Sequence, residues 1–233
     1  IGIGGIGMSG IAELLKNKEF VVSGSDIADS PNVQRLIDLG INVSIGHNKE
    51  NISDAELVIY SDAIPKDNVE LIEALAKNII VYSRARMISE IAKLNNSTVA
   101  IAGTHGKTTT TSMVGTILKS MNLDPTIIVG GVVKSLESNS VLGGGDTFVV
   151  EADEYNKSLL HLSPTIAVIN NIDFEHIECY NDIDDLKDTF LQFANSVPFY
   201  GTVCACKDSN NVASILSKID KPVITYGIEN QNL

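Results

Sequence analysis

Residues 103–109, Gly-Thr-His-Gly-Lys-Thr-Thr, combine glycines, a lysine and threonines at the end of an apolar run. Glycines between a strand and a helix let backbone N–H groups point at a phosphate, and the helix N-terminus adds partial positive charge. The Lys107 amine can reach the outer phosphates, and the Thr108 hydroxyl can bind Mg²⁺. The sequence therefore predicts a nucleoside triphosphate site, formed by Gly103, Thr104, His105, Gly106, Lys107, Thr108 and Thr109.

The spacing inside this loop separates it from the common phosphate loop, G-x-x-x-x-G-K-[ST]. That pattern would place its first glycine at position 101, where the chain has isoleucine, so the loop is compressed to G-T-x-G-K-T. The guanine-specificity motif N-K-x-D is also absent, because Asn171 stands where its lysine would be. Both differences count against a GTPase.

Acidic residues follow two further predicted strands. Glu151 ends an apolar run, and ligands of open α/β sheets bind at the carboxyl ends of the strands. We therefore expect a carboxylate of the acidic cluster Glu151-Ala152-Asp153-Glu154 to bind the same Mg²⁺ as Thr108. His176, which follows the next strand among acids, is a candidate ligand of a second metal ion. His105 could contact a phosphate or an acceptor carboxylate, whereas we assign no such contact to His47.

A second glycine loop opens the chain. Gly2, Gly4 and Gly7 satisfy G-x-G-x-x-G between a predicted strand and a helix, and Asp26 ends the next strand. This is the dinucleotide fingerprint, with the acid on a ribose hydroxyl, and taken alone it favours NAD. The same geometry serves any nucleoside diphosphate, including a UDP-sugar, so the rest of the chain must decide the ligand.

Alternating strands and helices predict α/β units with parallel sheets. The predicted strands of the first unit are Ile1–Ile3, Phe20–Ser23, Asn42–Ile45, Leu57–Tyr60 and Ile79–Tyr82. Those of the second are Thr98–Ala102, Thr126–Val129, Thr147–Glu151, Thr165–Asn170, Thr202–Ala205 and Pro222–Tyr226, with a loop at Leu136–Asp146. Helices are predicted at Met8–Lys16, Val33–Leu39, Val69–Ala76, Arg84–Leu94, Thr109–Met121, Ile183–Asn195 and Asn211–Lys218. We place the domains at 1–86 and 87–233.

Two arginines, Arg84 and Arg86, lie at the junction of these units. They either face an anionic ligand or are simply exposed at the start of a helix. The residues alone leave both interpretations open.

Composition limits the class of protein. The chain has 233 residues, of which 44% are hydrophobic and 20% charged, as in a globular protein. A net charge of −12 argues against a nucleic-acid partner, which needs a basic surface. No apolar run approaches the roughly 20 residues that span a bilayer, and three cysteines suit a reducing cytoplasm rather than a disulfide framework. Because the chain starts at Ile1 without methionine, we expect it to be a piece of a longer protein.

Together these strings resemble the Mur ligase family of ATP-dependent amide ligases. The resemblance spans nearly the whole chain in order, through Gly2–Glu13, Ser23–Asp26, Gly103–Thr111, Glu151–Glu154, His161–Pro164 and Pro198–Gly201. It implies a Rossmann-like, parallel-sheet UDP-binding domain followed by a P-loop α/β ATPase domain that is truncated at its C-terminal end. The string Met8-Ser9-Gly10 favours the alanine-adding members of the family.

The resemblance also implies the chemistry. ATP, with Mg²⁺, would activate the lactyl carboxylate of UDP-N-acetylmuramate as an acyl phosphate, which L-alanine then attacks, in peptidoglycan synthesis. By position, Lys107, Glu151 and His176 are implied as catalytic residues, and Thr108, Glu151 and His176 as metal ligands. The residues implied to bind the UDP-sugar are Gly4, Gly5, Ile6, Gly7, Met8, Ser9, Asp26 and Ser61.

Some positions depart from the family pattern. Glu175 precedes His176 where aspartate is usual, Asn156 replaces an aspartate, Asp62 a serine and Val129 an asparagine. The resemblance implies a further C-terminal domain that binds the amino acid. We therefore expect this chain alone to bind the UDP-sugar but to lack ligase activity.

Four alternatives remain at this point. A murein-peptide recycling ligase of the same family shares the strings. A folylpolyglutamate synthase-like enzyme shares the compressed loop but needs no UDP-binding unit. An NAD-dependent oxidoreductase would leave the Lys107 loop unexplained, and a non-catalytic nucleotide-binding module would leave the metal ligands idle.

Overall fold

The computed structural model describes residues 1–52, 54–133, 138–175 and 178–228. The chain divides into two compact units, Ile1–Ile88 and Ser89–Leu233. Strands and helices alternate in each unit, and within the described residues every strand pair but one is parallel. The predicted α/β class with parallel sheets is confirmed.

The first unit contains two short parallel sheets. One pairs β1 (Ser23–Asp26) with β2 (Asn42–Ile45), and the other pairs β3 (Leu57–Tyr60) with β4 (Ile80–Ser83). The helical segments are α1 (Ile6–Asn17), α2 (Pro31–Asp38), a 3₁₀ turn at Lys49–Ile52, α3 (Val69–Ala76) and the start of α4 (Arg84–Ala92). Helix α2 begins at Pro31 because the Ser30 hydroxyl accepts a hydrogen bond from the Val33 N–H.

The predicted strands Ile1–Ile3 and Phe20–Ser23 are wrong. The structure assigns no strand to the first segment, and β1 begins only at Ser23. Phe20 and Val21 are 53% and 102% exposed. The apolar residues Phe20 and Val21 therefore do not mark the residues of β1 that pair, whereas Ile1 and Ile3 are buried without forming a strand.

The first residues of the chain nevertheless lie between the two sheets. The Gly2 N–H donates to the Ser25 carbonyl at 2.8 Å, and the Ser61 N–H donates to the Ile1 carbonyl at 3.1 Å. These bonds hold the glycine loop beside the carboxyl ends of β1 and β3.

The second unit is built on one seven-stranded sheet. Its strands are β5 (Ser97–Ala102), β6 (Thr126–Val133), β7 (Ser138–Val141), β8 (Thr147–Ala152), β9 (Ile166–Ile169), β10 (Thr202–Cys206) and β11 (Val223–Tyr226). Their order is β11-β10-β9-β5-β8-β6-β7, which puts β5 in the middle. The helical segments are α5 (Lys107–Ser120), a 3₁₀ turn at Tyr155–His161, α6 (Ile183–Asn195), α7 (Asn210–Ile215) and a 3₁₀ turn at Leu216–Lys218.

The core of this sheet explains why β5 is so apolar. Its side chains pack with those of neighbouring strands in a buried cluster: Val99, Ile101, Ile127, Val129, Val149 and Val168. A parallel strand covered on both faces reads as a continuous apolar run. The polar residues that follow it are therefore presented at the carboxyl edge of the sheet.

The predicted loop Leu136–Asp146 is only partly right. Residues 138–141 form β7, which pairs antiparallel with β6, and Leu136 lies outside the described residues. Serine and asparagine have low strand propensity, but pairing along β6 overrides it. The predicted helix Asn211–Lys218 likewise ends early, because α7 stops at Ile215 and passes into a 3₁₀ turn.

The three cysteines are free and half-buried, and burial raises the pKa of the Cys204 thiol. Cys204 and Cys206 lie two residues apart on β10, so their side chains share a face. Among the described helices, none combines the length and apolar character needed to cross a membrane.

Candidate functional site

The loop after β5 requires glycine at two positions. Gly103 has φ +149°, and a Cβ there would lie 3.0 Å from the Asn170 Cβ. Gly106 has φ +77° and precedes the first turn of α5. L side chains rarely adopt these conformations. The loop can therefore turn tightly against the end of β9 and direct its N–H groups toward the start of the helix.

Asn171, just past β9, holds this loop from the side. Its Oδ1 accepts the His105 N–H at 2.8 Å, and its Nδ2 donates to the His105 carbonyl at 3.1 Å. Its own carbonyl accepts the Thr104 N–H at 3.2 Å, and the Thr104 hydroxyl donates to the Asp173 carbonyl at 3.1 Å. Sequence reasoning considered Asn171 only as a missing lysine.

These bonds determine which amides can meet a phosphate. Within the described part of the chain, the N–H groups of residues 106–109 donate to no protein acceptor, whereas those of Thr104 and His105 are used by Asn171. The available donors are thus at the N-terminus of α5, where the helix dipole also favours an anion. The arrangement suits a phosphate on Gly106–Thr109.

The Lys107 side chain binds protein groups around this loop. Its Nζ donates to the carbonyls of Gly103 and Thr104, at 2.7 and 3.2 Å, and contacts both carboxylate oxygens of Glu154, at 2.8 and 3.1 Å. The Glu154 side chain is 1% exposed. The ammonium donors of Lys107 therefore all have protein acceptors. The sequence placed Glu154 in an acidic string at a strand end but did not reveal that it pairs with Lys107.

Tyr180 supports the segment that carries Glu154. Its hydroxyl donates to the Glu154 backbone carbonyl. Burial, together with the nearby Glu154 charge, raises the pKa of Tyr180 far above its usual value, so the hydroxyl stays protonated. The contact fixes the acidic turn that follows β8.

The oxygen donors predicted for Mg²⁺ lie on adjacent elements. Glu151 is in β8 directly opposite Ile101 of β5, and Thr108 follows the β5 loop in the first turn of α5. Mg²⁺ prefers oxygen ligands and is usually held by one or two carboxylates with substrate phosphates. The hydroxyl and carboxylate oxygens at this edge of the sheet fit that requirement. Among the described residues, no group of three or more His, Cys, Asp or Glu side chains could hold a metal ion elsewhere. His176 lies outside the described residues.

His105 projects away from the loop toward acids. Its Nε2 lies 3.5 Å from Glu175 Oε1 and 3.8 Å from Asp173 Oδ2, and the side chain is exposed. The neighbours of the His105 side chain are therefore carboxylates of the segment that follows β9. Contact with a phosphate or an acceptor carboxylate stays a prediction.

The glycine loop of the first unit is closed around Asp26. The Gly4 N–H donates to Asp26 Oδ2 at 2.8 Å, and the Ala28 N–H approaches Oδ1 at 3.3 Å. A Cβ on Gly4 would lie 2.6 Å from Val33 Cγ2 and 3.0 Å from Asp26 Oδ2, so no larger residue fits there without movement. An ionised carboxylate has about four lone-pair directions, which leaves acceptor capacity for a ribose hydroxyl.

The other residues assigned to this loop lie around the start of α1. Gly5 precedes the helix without a side-chain cap, and Ile6 is exposed. Met8 and Ser9 are buried, and their N–H groups donate to the Gly5 carbonyl at 3.0 and 2.9 Å. Their contact with the UDP-sugar stays a prediction. Ser61 follows β3 beside Gly2, where a Cβ on that glycine would lie 3.3 Å from the Ser61 Cβ.

A buried carboxylate behind this loop was missed by sequence reasoning. Glu70, which is 0% exposed, accepts hydrogen bonds from Ser25 Oγ at 2.6 Å, Asn51 Nδ2 at 2.6 Å and the Asn48 N–H at 3.3 Å, and its Oε2 lies 2.9 Å from His47 Nδ1. Burial alone would raise the pKa of Glu70, but these hydrogen bonds outweigh it and hold the pKa below its usual value. The ionised carboxylate thus ties α3 to the ends of β1 and β2.

Comparison with known families covers nearly the whole chain. A model described as "Mur ligase family, catalytic domain" matches residues 1–96, and a model described as "Mur ligase middle domain" matches residues 101–233.

The curated relatives are twice as long as the chain. The UDP-N-acetylmuramate--L-alanine ligase of Geotalea uraniireducens is 50% identical over 231 residues, which are 99% of this chain and 50% of that protein. The enzyme of the same name from Sulfurihydrogenibium sp. is 49% identical over 227 residues, 97% of this chain and 50% of that protein. The chain therefore spans about half the length of these relatives.

Two solved structures share the fold. A UDP-N-acetylmuramate:L-alanyl-gamma-D-glutamyl-meso-diaminopimelate ligase from Neisseria meningitides has a TM-score of 0.86 and 27% identity, over 96% of this chain and 75% of that one. The UDP-N-acetylmuramate-alanine ligase of Thermotoga maritima has a TM-score of 0.83 and 30% identity, over 98% of this chain and 51% of that one.

Proposed function

The chain belongs to the Mur ligase family, and from that premise we propose that its protein joins L-alanine to the lactyl carboxylate of UDP-N-acetylmuramate at the expense of ATP. The observation that carries the proposal is the 50% identity to an alanine-adding ligase over 99% of the chain. The compressed loop with its fixed Lys107 supplies the chemistry that such an enzyme needs. An NAD-dependent oxidoreductase would not use this loop, and a non-catalytic nucleotide-binding module would leave the metal ligands idle.

In the proposed reaction the lactyl carboxylate attacks the γ-phosphorus of ATP, and ADP leaves as the acyl phosphate forms. Two anions must be brought together, so charge neutralisation and alignment matter more than covalent help. Lys107 would neutralise charge on the outer phosphates while the Gly106–Thr109 amides hold them. Bound Mg²⁺, on Thr108 and Glu151 with His176 at a second ion, would supply further positive charge.

The acyl phosphate formed in this way carries the activated carbonyl. The amine of L-alanine attacks that carbon, and phosphate leaves from the tetrahedral intermediate. In the first unit, Asp26 and the glycine loop would bind the UDP moiety, with Ser61 at the neighbouring strand end. The proposal divides the work between the units: one binds the nucleotide-sugar and the other binds ATP.

A second candidate is the recycling ligase of the same family. The observation that favours it is the TM-score of 0.86 to the Neisseria meningitides enzyme, whose name contains a tripeptide rather than L-alanine alone. The two candidates differ only in the amine that attacks. Turnover of the full-length protein with L-alanine, compared with turnover with L-alanyl-γ-D-glutamyl-meso-diaminopimelate, distinguishes them.

Thermal unfolding tests which ligand the first unit binds. At 100 times its dissociation constant, a ligand of the folded state adds about 2.7 kcal/mol to the free energy of unfolding. For a chain of this size that raises Tm by several degrees, at about 2–4 °C per kcal/mol. We expect a rise with UDP-N-acetylmuramate and none with NAD at the same concentration. A rise with NAD alone would contradict the proposal and restore the oxidoreductase.

A further inference from the structure

The third glycine of the opening loop makes room for an arginine. A Cβ built on Gly7 would lie 2.8 Å from Arg84 Nη1, 3.1 Å from its Cδ and 3.4 Å from its Cζ. In dinucleotide-binding folds the third glycine of this motif usually permits close packing of helix and strand. Here a guanidinium group occupies the space that a side chain at position 7 would fill.

The Arg84 guanidinium lacks a protein partner in the described part of the chain. No hydrogen bond, ion pair or aromatic contact joins its side chain to another described residue. The first turn of α1, which it overlies, contains no acidic residue. In a protein of net charge −12, an uncommitted cation held against a glycine loop is unusual.

Arg86, two residues along the same helix, provides a contrast. Its Cζ lies 5.5 Å from the centre of the Tyr82 ring, and it has a further interaction within the protein. A guanidinium stacked on an aromatic ring is already stabilised. The two arginines that the sequence could not tell apart therefore have different surroundings.

We propose that Arg84 binds the diphosphate of the nucleoside-diphosphate substrate in the glycine loop, and that Gly7 is glycine to let the guanidinium reach it. The inference rests on the proposed function, since it takes the loop as the site of the UDP-sugar. A planar guanidinium can form two parallel charge-assisted hydrogen bonds with phosphate oxygens. Arg84 then supplies positive charge that the backbone amides alone cannot.

The test measures the affinity of the full-length protein for UDP-N-acetylmuramate, UDP and uridine in three variants. Arg84→Ala is expected to weaken UDP and UDP-N-acetylmuramate binding equally, by about 10- to 100-fold, as loss of a charged hydrogen bond does. Uridine binding should be unchanged. Gly7→Ala should give a similar loss, and the double variant should lose little more, because both remove the same contact. Arg86→Ala is the matched control and should bind UDP as the wild type does.

Several results would overturn the assignment. Unchanged UDP affinity in Arg84→Ala, or an equal loss in Arg86→Ala, would show that Arg84 is not a diphosphate ligand. A loss for UDP-N-acetylmuramate but not for UDP would place Arg84 on the sugar's carboxylate instead. Failure of the wild-type protein to bind UDP at all would reject the proposed function rather than this inference. If Arg84→Ala does not fold, Arg84→Lys is used, with a smaller loss expected for UDP and none for uridine.

Discussion

Replacing Lys107 by methionine is expected to lower both activity and stability. ATP-dependent turnover of the full-length protein should fall by at least about 10²–10³-fold, because a fixed cation at the reacting phosphate is lost. The free energy of unfolding should fall by about 3–5 kcal/mol, since Glu154, 1% exposed, would keep a buried charge without its Lys107 partner. Steady-state kinetics and denaturant unfolding measure the two effects separately.

A second substitution separates these effects. Adding Glu154→Gln to Lys107→Met removes the buried charge, so the double variant should regain most of the stability but none of the activity. Lys93→Met is the control, because Lys93 pairs with Glu90 at 3.0 Å on the surface, and such pairs contribute at most about 1 kcal/mol. Full activity in Lys107→Met would remove this residue from the mechanism. Unchanged unfolding would show that the Glu154 pair does not stabilise the fold.

Replacing Glu70 by glutamine is expected to destabilise the first unit by about 3 kcal/mol, because several buried donors lose a charged acceptor at once. The effect should depend on pH. The pKa of Glu70 is held below its usual value of 4.5, so its contribution is fully present above that pH. As pH falls through the lowered pKa the carboxylate is protonated and the contribution is lost.

Chemical denaturation between pH 7 and pH 3 measures this. The wild type should lose stability on the acid side more steeply than Glu70→Gln, and the two curves should converge there. Glu73→Gln is the matched control on the same helix, because Glu73 is partly exposed and pairs with Lys77 at 3.3 Å. A constant difference between wild type and Glu70→Gln at all pH values would mean that the charge of Glu70 plays no part.

The sequence predicted what local patterns encode. The sequence predicted that the phosphate loop and Asp26 lie at strand ends. This was possible because apolar runs and glycines are signals that a short stretch of sequence contains. Glu151, predicted to end its strand, lies one residue before the end of β8 and opposite Ile101 of the strand that carries the loop. Its role as a metal ligand stays a prediction. The family is confirmed by the matches over residues 1–96 and 101–233.

The contacts between distant residues could not be predicted in this way. Glu70 meets Ser25 across 45 positions and Asn51 across 19, and no periodicity joins them. Asn171 and His105 are 66 positions apart. A single sequence gives the type of each residue but not which buried donor it will satisfy, since that depends on how the elements pack.

The prediction of where β1 lies was wrong for another physical reason. The apolar residues Phe20 and Val21 are exposed, whereas the polar segment Ser23–Asp26 forms the strand. Pairing with β2 and the bonds from residues 2 and 3 to Ser25 outweigh the low strand propensity of serine and glycine. A short strand can therefore form from polar residues and glycine alone.

The most direct test of the proposed function follows oxygen atoms. The full-length protein is supplied with ATP, L-alanine and UDP-N-acetylmuramate whose lactyl carboxylate carries ¹⁸O at both oxygens, and the released phosphate is analysed by mass spectrometry. If the carboxylate attacks ATP and L-alanine displaces phosphate, each phosphate released should contain one ¹⁸O, and its release should require L-alanine. Unlabelled phosphate, or ADP formation that needs neither the UDP-sugar nor L-alanine, would contradict the proposal.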